Sequence, residues 1–408
     1  MRAASFALVP RGGHPDFLDL PWSEPLAEWT HERLVRMAHG HSRHVVRFVA
    51  YDERVYALKE TTTELATREF RALRDLANDG LPVVEATGVV TGRSDASGAA
   101  LGSVLITRFL DYALPYTYLI GSQEGTGLRA RLLDAGAVLL VRLHIEGVFW
   151  GDCSLGNVLF RRDAGALAAY LVDAETVEVH DAPLDTALRE HDIEISLENV
   201  VGGLLDLQAA GRIDPDIDPV AIAEALRRRY DSLWDELTHV DRVGADERHQ
   251  VEARIRRLND LGFDVEELVV EAGGGYLQIR PAVIEEGHHA RELRRRTGLE
   301  VQENQARRLL GDIAGYRAWL EQEAGASVPE AVAAAKWLAE IYEPIISRVP
   351  PELRGRREPA EVFHELLEHR WLLSEKAGRE VKNDEAVASY LASVLPRQAE
   401  ERTLLADE

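Results

Sequence analysis

The first clear pattern along the chain is a change of period near residue 60. Val45-Val46-Arg47-Phe48-Val49-Ala50-Tyr51 and Val55-Tyr56-Ala57-Leu58-Lys59 are rich in β-branched and aromatic residues, and Asp52-Glu53-Arg54 between them suits a hairpin turn. Two antiparallel strands are expected there. Beyond them Leu65, Phe70, Leu73, Leu76 and Ala77 recur at helical spacing, and Thr61 followed three residues later by Glu64 reads as a capping box. Asn78-Asp79-Gly80 and then Pro82 end that helix. Val83 to Val90 and Ser103 to Phe109 read as further strands, which gives a β-β-α-β-β order.

From Gly127 to Ile145 the helical period returns through Leu132, Leu133, Val138, Leu140, Val141 and His144, and Gly147 is placed to cap it in the left-handed conformation. Val148-Phe149, Val158-Leu159-Phe160 and Tyr170-Leu171-Val172 then alternate with polar loops, as short antiparallel strands would. After Asp206 the character changes. Gly211 to Pro219 is a Pro/Asp-rich break, and nearly everything beyond it reads as helix except a short strand within Gly273 to Pro281. The expected fold class is α+β, with a mainly α-helical C-terminal domain. The expected divisions are a lead-in over 1–40, a bilobal region over 41–208 (lobes of about 41–110 and 111–208) and a helical domain over 209–408.

At 408 residues the chain exceeds one compact core, and 46% hydrophobic with 29% charged residues is a globular composition. No run approaches the roughly 18 apolar residues of a bilayer span. Pro10, Gly12, Gly13 and Pro15 interrupt the N-terminal segment before a signal-peptide core is complete, so a cytoplasmic location is expected. The single cysteine, Cys153, excludes an intrachain disulfide and a multi-cysteine metal cluster. A net charge of -23 disfavours nucleic acid and anionic lipid as partners. A phosphate-bearing ligand must then be held by local cations, backbone N–H groups or a metal.

Four patterns occur in one order: Val55-Tyr56-Ala57-Leu58-Lys59, Arg68-Glu69-Phe70, Leu143-His144 through Gly151-Asp152-Cys153-Ser154-Leu155-Gly156-Asn157-Val158-Leu159, and Leu171-Val172-Asp173. Strand alternation puts Val55, Ala57 and Lys59 on one face, an ammonium beside a small residue that a flat base would contact. Singly, each residue has a bland reading: a strand-ending Lys is usually a solvated charge, Glu69 an exposed helix partner, and Asp152 and Asn157 turn formers. In this order they resemble the protein-kinase-like superfamily over roughly residues 41 to 208. The resemblance implies phosphoryl transfer from ATP to a hydroxyl, with ATP and magnesium as cofactors. By it Lys59 would bind phosphates and Glu69 would hold Lys59, with Glu64 as rival partner. Asp152 would orient the acceptor hydroxyl, and Asn157 and Asp173 would give magnesium its oxygen ligands. The alternative is a nucleotide-binding scaffold without transfer.

The departures from that family's pattern are specific. No Gly-x-Gly-x-x-Gly lies between the first strands, only Gly40 within His39-Gly40-His41-Ser42-Arg43; Trp150-Gly151 stand before Asp152, and Ala174-Glu175 follow Asp173. The Gly-Asp-x-Ser-x-x-Asn loop is more similar to RIO-type atypical kinases. The whole chain resembles bacterial lipopolysaccharide-kinase-like proteins that carry a C-terminal domain of unknown function (family 4032), through Arg280-Pro281, Gly287-His288-His289 and the run Thr297 to Arg308. Partners are then a nucleotide, an unidentified phosphate acceptor, and a protein held by the C-terminal helices. Arg291, Arg294, Arg295 and Arg296, with Arg307 and Arg308 nearby, read as a solvated face paired with Glu285, Glu286 and Glu292, in preference to the alternative of a phosphate-binding patch. His288-His289 lack a third metal ligand, and Trp319, Trp337 and Trp371 read as core.

Overall fold

The computed structural model describes residues 6–36, 44–52, 54–121, 126–238, 241–244, 265–273, 276–283 and 287–402, with Ala253, Arg256 and Leu258. Residues 39–43, around Gly40, and Glu285 and Glu286 lie outside these. The chain divides into two compact units, one of Met1–Phe160 with Ala169–Tyr230 and one of Arg161–Ala168 with Asp231–Thr403. The break at Gly211 to Pro219 lies inside the first.

The first unit opens on a six-stranded sheet: β1 (Ala7–Pro10), β2 (Leu34–Val35), β3 (Val45–Tyr51), β4 (Arg54–Thr61), β5 (Ala86–Thr91) and β6 (Ser103–Arg108), in the order β1-β5-β6-β4-β3-β2 with every pair antiparallel. The strand expected over Val83 to Val90 begins only at Ala86, and Val83 makes an isolated bridge to Leu171. Alternation along β4 buries Tyr56 and Leu58 against an apolar layer from the lead-in, Phe17, Trp22, Leu26 and Trp29. The N-terminal segment is thus a structural part of this sheet. Arg93 locks it: fully buried, it donates to Trp22 O at 3.1 Å, Gly102 O at 2.8 Å, Glu60 at 2.6 Å and Glu24 O, with Trp22 and Trp29 within 6.0 Å of the guanidinium. These contacts offset the cost of an interior cation.

Lys59, on the other face of β4, meets helix α1 (Thr63–Asn78). The helix starts one residue later than the capping-box reading placed it: Thr62 Oγ1 accepts from Leu65 N at 3.3 Å, while Thr61 ends β4. Its buried positions, Ala66, Glu69, Phe70, Leu73 and Leu76, follow the helical period. Each large apolar one contributes about 1.5–3 kcal/mol of burial. Glu69 is the one charge on that stripe.

After β7 (Leu114–Pro115) and α2 (Tyr116–Gly121), helix α3 (Thr126–Ile145) stops at Gly147, whose φ is +75°. A side chain there would also meet the carbonyl oxygens of His180 and Ala182, so only glycine fits. The chain then forms β8 (Val148–Phe149), the hairpin β9 (Val158–Asp163) and β10 (Ala166–Leu171), β11 (Glu178–Val179) paired with β8, and helices α4 (Thr186–Ala209) and α5 (Pro219–Thr238).

The second unit contains a sheet of its own. Three antiparallel strands, β12 (Asp241–Gly244), β13 (Val265–Gly273) and β14 (Tyr276–Val283), form a sheet in the order β12-β14-β13 where one short strand was expected. Glu266, Glu267 and Glu271 mask the β-branched content of β13. Helices follow as α6 (His288–Thr297), α7 (Glu303–Ala324), α8 (Glu330–Trp337), a π-helical turn (Leu338–Tyr342), α9 (Glu343–Ser347), α10 (Pro359–Ala377) and α11 (Asn383–Ser393). Their core includes Leu293, Leu309, Ile313, Trp337, Phe363 and Tyr390. Trp337 is core as expected, but Trp319 and Trp371 are 51% and 62% exposed. Helical period alone does not say which face of a helix is covered.

The tip of the β9–β10 hairpin belongs to this second unit. Asp163 accepts Asn304 N at 3.1 Å and Gln305 N at 2.8 Å, serving the open N–H groups that begin α7. Arg161 pairs with Glu358 at 2.6 Å, and Arg162 and Arg357 share Glu401 at 2.7 Å each. Burial pushes the Asp163 carboxyl up to about 7, its two N–H bonds opposing and Glu361 and Glu303 adding. A group raised above its ordinary 3.8 stabilises the fold fully at pH below that value, and this contribution is lost as pH rises towards 7. Asp163→Asn, which carries no charge at any pH, should therefore gain thermal stability relative to the wild type on going from pH 5 to pH 8. A melting-temperature difference that stays constant over that range would contradict the assignment.

Candidate functional site

The site is built from the end of β4, the middle of α1 and the loops at the base of the β9–β10 hairpin. Lys59 Nζ lies 3.0 Å from Glu69 Oε2, 2.9 Å from Asp173 Oδ2 and 3.3 Å from Glu175 Oε2. Glu69, the nearer of the two candidate partners in this geometry, is buried, whereas Glu64 is exposed. Burial opposes the Lys59 ammonium, yet Glu69 and Asp173 outweigh it and raise its pKa. Burial, aided by Asp173, pushes the Glu69 carboxyl up to about 7. A ligand that draws Asp173 and Glu175 away from Lys59 would leave its ammonium held in place by Glu69 and open to an anion. Ala57 sits two residues before Lys59 on the same strand and face.

Asp152 and Asn157 lie across the following loop. Asn157 Nδ2 donates to Asp152 O at 3.1 Å and Asp152 Oδ2 at 3.4 Å, which turns its Oδ1 away as the acceptor end. Asn157 O accepts Val172 N at 3.0 Å, so backbone pairing holds Asn157 next to the chain that carries Asp173. Trp150 Nε1 reaches Asp173 O at 3.4 Å, and Thr176 Oγ1 donates to Trp150 O at 2.7 Å. The structure thus brings Lys59, Glu69 and Asp173 into direct contact and ties Asp152 to Asn157.

Three neighbours of the site, Glu175, Asn199 and Asp192, were assigned no role from the sequence. Glu175 joins Glu69 and Asp173 in a set of carboxylates whose oxygens lie within 4.8 Å of one another, and it also binds His44 Nε2 at 3.0 Å while its backbone oxygen accepts from Arg68. Asn199 donates to Asp152 Oδ1 at 3.3 Å. Asp192, on α4, is fully buried and accepts Trp150 N and Gly151 N at 2.8 Å each, with His144 Nε2 at 3.1 Å. His144 Nδ1 in turn meets Tyr230 Oη at 2.7 Å. A signal for Asp192 existed: with Ile193, Ser196, Val200, Leu204 and Leu207 it shares the buried stripe of a helix, where an unpaired carboxylate is costly. No local pattern marks Asn199 or Glu175.

The oxygen-only donors Asp173, Glu175 and the Asn157 amide match what a hard divalent cation such as magnesium takes. Cys153 is buried, and burial pushes its thiol up to about 12, so it stays protonated and inert beside this site. The basic cluster behaves as a paired surface: Arg295 and Arg296 bind Glu292, and Arg294 binds Glu300 at 3.1 Å. His289 pairs with Glu303 at 2.8 Å. Among the described residues no helix is long and apolar enough to cross a membrane.

Residues 37–195, which span these elements, match the family model of the lipopolysaccharide kinase (Kdo/WaaP) family. Residues 232–395 match that of DUF4032, a domain of unknown function. These are the two groups that the motifs resemble. Solved structures similar to the chain include WaaP in complex with acyl carrier protein (18% identity, TM-score 0.36, covering 56% of this chain and 89% of that one). A type VIII aminoglycoside-3'-phosphotransferase is similar at 16% identity and TM-score 0.35, covering 56% of this chain and 93% of that one. No curated protein matches the chain in sequence.

Proposed function

We propose that the first unit binds ATP with magnesium and transfers its terminal phosphoryl group to a hydroxyl of an acceptor. The observation that carries this reading is the half-buried Lys59 ammonium, paired with buried Glu69 at 3.0 Å and with Asp173 at 2.9 Å. A half-buried cation with carboxylates on two sides suits a phosphate ligand that comes with a divalent metal, and an acidic protein needs such a local cation to hold ATP. The match of residues 37–195 to a kinase family supports the reaction class.

In this mechanism Lys59 engages the α- and β-phosphates while Glu69 fixes its position, and Ala57 contacts the base. Asp173 and Asn157 would hold magnesium, which would supply neutralisation of the phosphate charge. Asp152 accepts a hydrogen bond from the acceptor hydroxyl and orients it. As the acceptor oxygen bonds to the terminal phosphorus, the bond to the bridging oxygen breaks, ADP leaves, and the acceptor proton passes to Asp152. The acceptor is defined here only by its hydroxyl. A second reading, a nucleotide-binding scaffold, is favoured by the missing Gly-x-Gly-x-x-Gly. Nucleotide binding without transfer to any acceptor would decide for it.

Magnesium is expected to strengthen nucleotide binding, and Asp173→Ala should remove that enhancement while the far-UV spectrum stays native. Isothermal titration with and without the metal measures both. Metal-independent affinity that the substitution leaves unchanged rejects the metal assignment.

A further inference from the structure

Two of the proposed site residues flank the open end of the β9–β10 hairpin, and the hairpin is shared between the two units. Its strands meet in a two-residue turn, Ala164 and Gly165, with φ of +50° and +89°, so no slack loop separates them. At the open end the ladder runs one rung further, Val172 N donating to Asn157 O at 3.0 Å, and Asp173 is the next residue. Residues 158–160 and 169–171 belong to the first unit, whereas the tip, Arg161–Ala168, belongs to the second. With six residues in each strand, tip and open end are about 20 Å apart.

What holds the tip is polar and specific. Buried Asp163 accepts Asn304 N at 3.1 Å and Gln305 N at 2.8 Å, both in the first turn of α7 and 141 and 142 residues away. Gln305 Nε2 donates back to Arg162 O at 3.1 Å and to Glu361 Oε2 at 2.9 Å, and the same Glu361 oxygen accepts Ala164 N at 3.0 Å. Strand and helix complete each other. A carboxylate on an undocked tip would need water, and the open N–H groups of α7 would need another acceptor. A slip of one residue would turn Asp163 to the other face of the strand, so the grip has a single register. A two-stranded hairpin alone is marginally stable in water, and β7 adds only Leu114 and Pro115 to its first-unit end.

We propose that the second unit positions the ligand-bearing end of this hairpin, with Asp163 as the positioning residue. Docked, the hairpin is held as one piece and keeps Asn157 and Asp173 at the spacing its last rung gives them. Undocked, its open end loosens. The role of Asn157 and Asp173 as metal ligands rests on the proposed phosphotransfer, whereas the coupling of tip to open end does not.

Amide hydrogen exchange on the full-length protein reads both ends. Asp163→Ala should speed exchange at Asn304 and Gln305, whose acceptor it removes, and at Val172 as well, by about tenfold or more at each. Asp163→Asn keeps one acceptor oxygen, so it should give a smaller change at both ends and carries the test if the alanine variant does not fold. Val387→Ala is the control: it truncates α11 in a helical core whose apolar members come from other elements, and Val172 should exchange as in the wild type. By isothermal titration the magnesium enhancement of ATP affinity should fall about fivefold or more in Asp163→Ala and stay unchanged in Val387→Ala. Three results overturn the proposal: faster exchange at Asn304 and Gln305 with Val172 unchanged, which makes Asp163 a cap for α7 alone; no acceleration at Asn304 and Gln305; or equal acceleration of Val172 in the control, which is general loosening. A wild type that binds no nucleotide rejects the phosphotransfer reading, and the exchange results still decide the coupling.

Discussion

Asp152→Asn is expected to slow phosphoryl transfer by about 10²–10⁴ while changing nucleotide affinity little. The substitution keeps size and leaves one side-chain oxygen, which can accept from either Asn157 Nδ2 or Asn199 Nδ2, the amides that face Oδ2 and Oδ1 of Asp152. What it removes is the negative charge that orients the acceptor hydroxyl and receives its proton. Lys59→Ala provides the contrast. That change takes the cation from the phosphates and leaves Glu69 buried without its partner, so it weakens nucleotide binding, transfer or both, and costs stability besides. Transfer assayed at saturating nucleotide separates the two. A wild type that is active, with an Asp152→Asn variant of equal rate, rejects the mechanism and leaves nucleotide binding standing.

The parts of this site legible in the sequence are those set by local period and local chemistry. Lys59 ends a strand whose alternation is visible, and the strand, the turn and the start of α1 within a few residues fix the height at which Glu69 meets it. Gly147 announces the end of α3 because only a left-handed residue closes that turn, and Asp152, Asn157 and Asp173 follow at short spacing. The parts that were not legible come from chain distant in sequence. Asp192 reaches Trp150 and Gly151 across 42 and 41 residues, and Asn199 reaches Asp152 across 47. His44 reaches Glu175 across 131. Nothing in a local window reports such pairings. In the second unit the same limit acts on burial. Trp337, Trp319 and Trp371 sit in similar apolar patterns, and only the packing of α8 against its neighbours distinguishes the first from the other two.

Asp192→Ala is expected to lower stability by about 3–5 kcal/mol, because it strands two backbone N–H groups and the Nε2–H of His144 in a site without water access. His144, Trp150 and Tyr230 are all fully buried, so no rearrangement short of opening the fold supplies new partners. A loss of that size corresponds to a fall of roughly 6–20 °C in melting temperature for a unit of this size. The consequence extends to the reaction. Trp150 and Gly151 immediately precede Asp152, and Asp192 fixes both of their amides, so the carboxylate proposed to orient the acceptor is aimed by a residue on α4. At a temperature where the variant remains folded, kcat should fall while nucleotide affinity, set by Lys59 and Asp173, is largely retained. Tyr230→Phe removes a single hydroxyl from His144 Nδ1 and should cost only about 0.5–1.5 kcal/mol with near-normal kcat. If Asp192→Ala melts within about 2 °C of the wild type, the buried carboxylate does not anchor the loop; if it is destabilised as expected but keeps full kcat, Asp192 braces the fold without aiming Asp152.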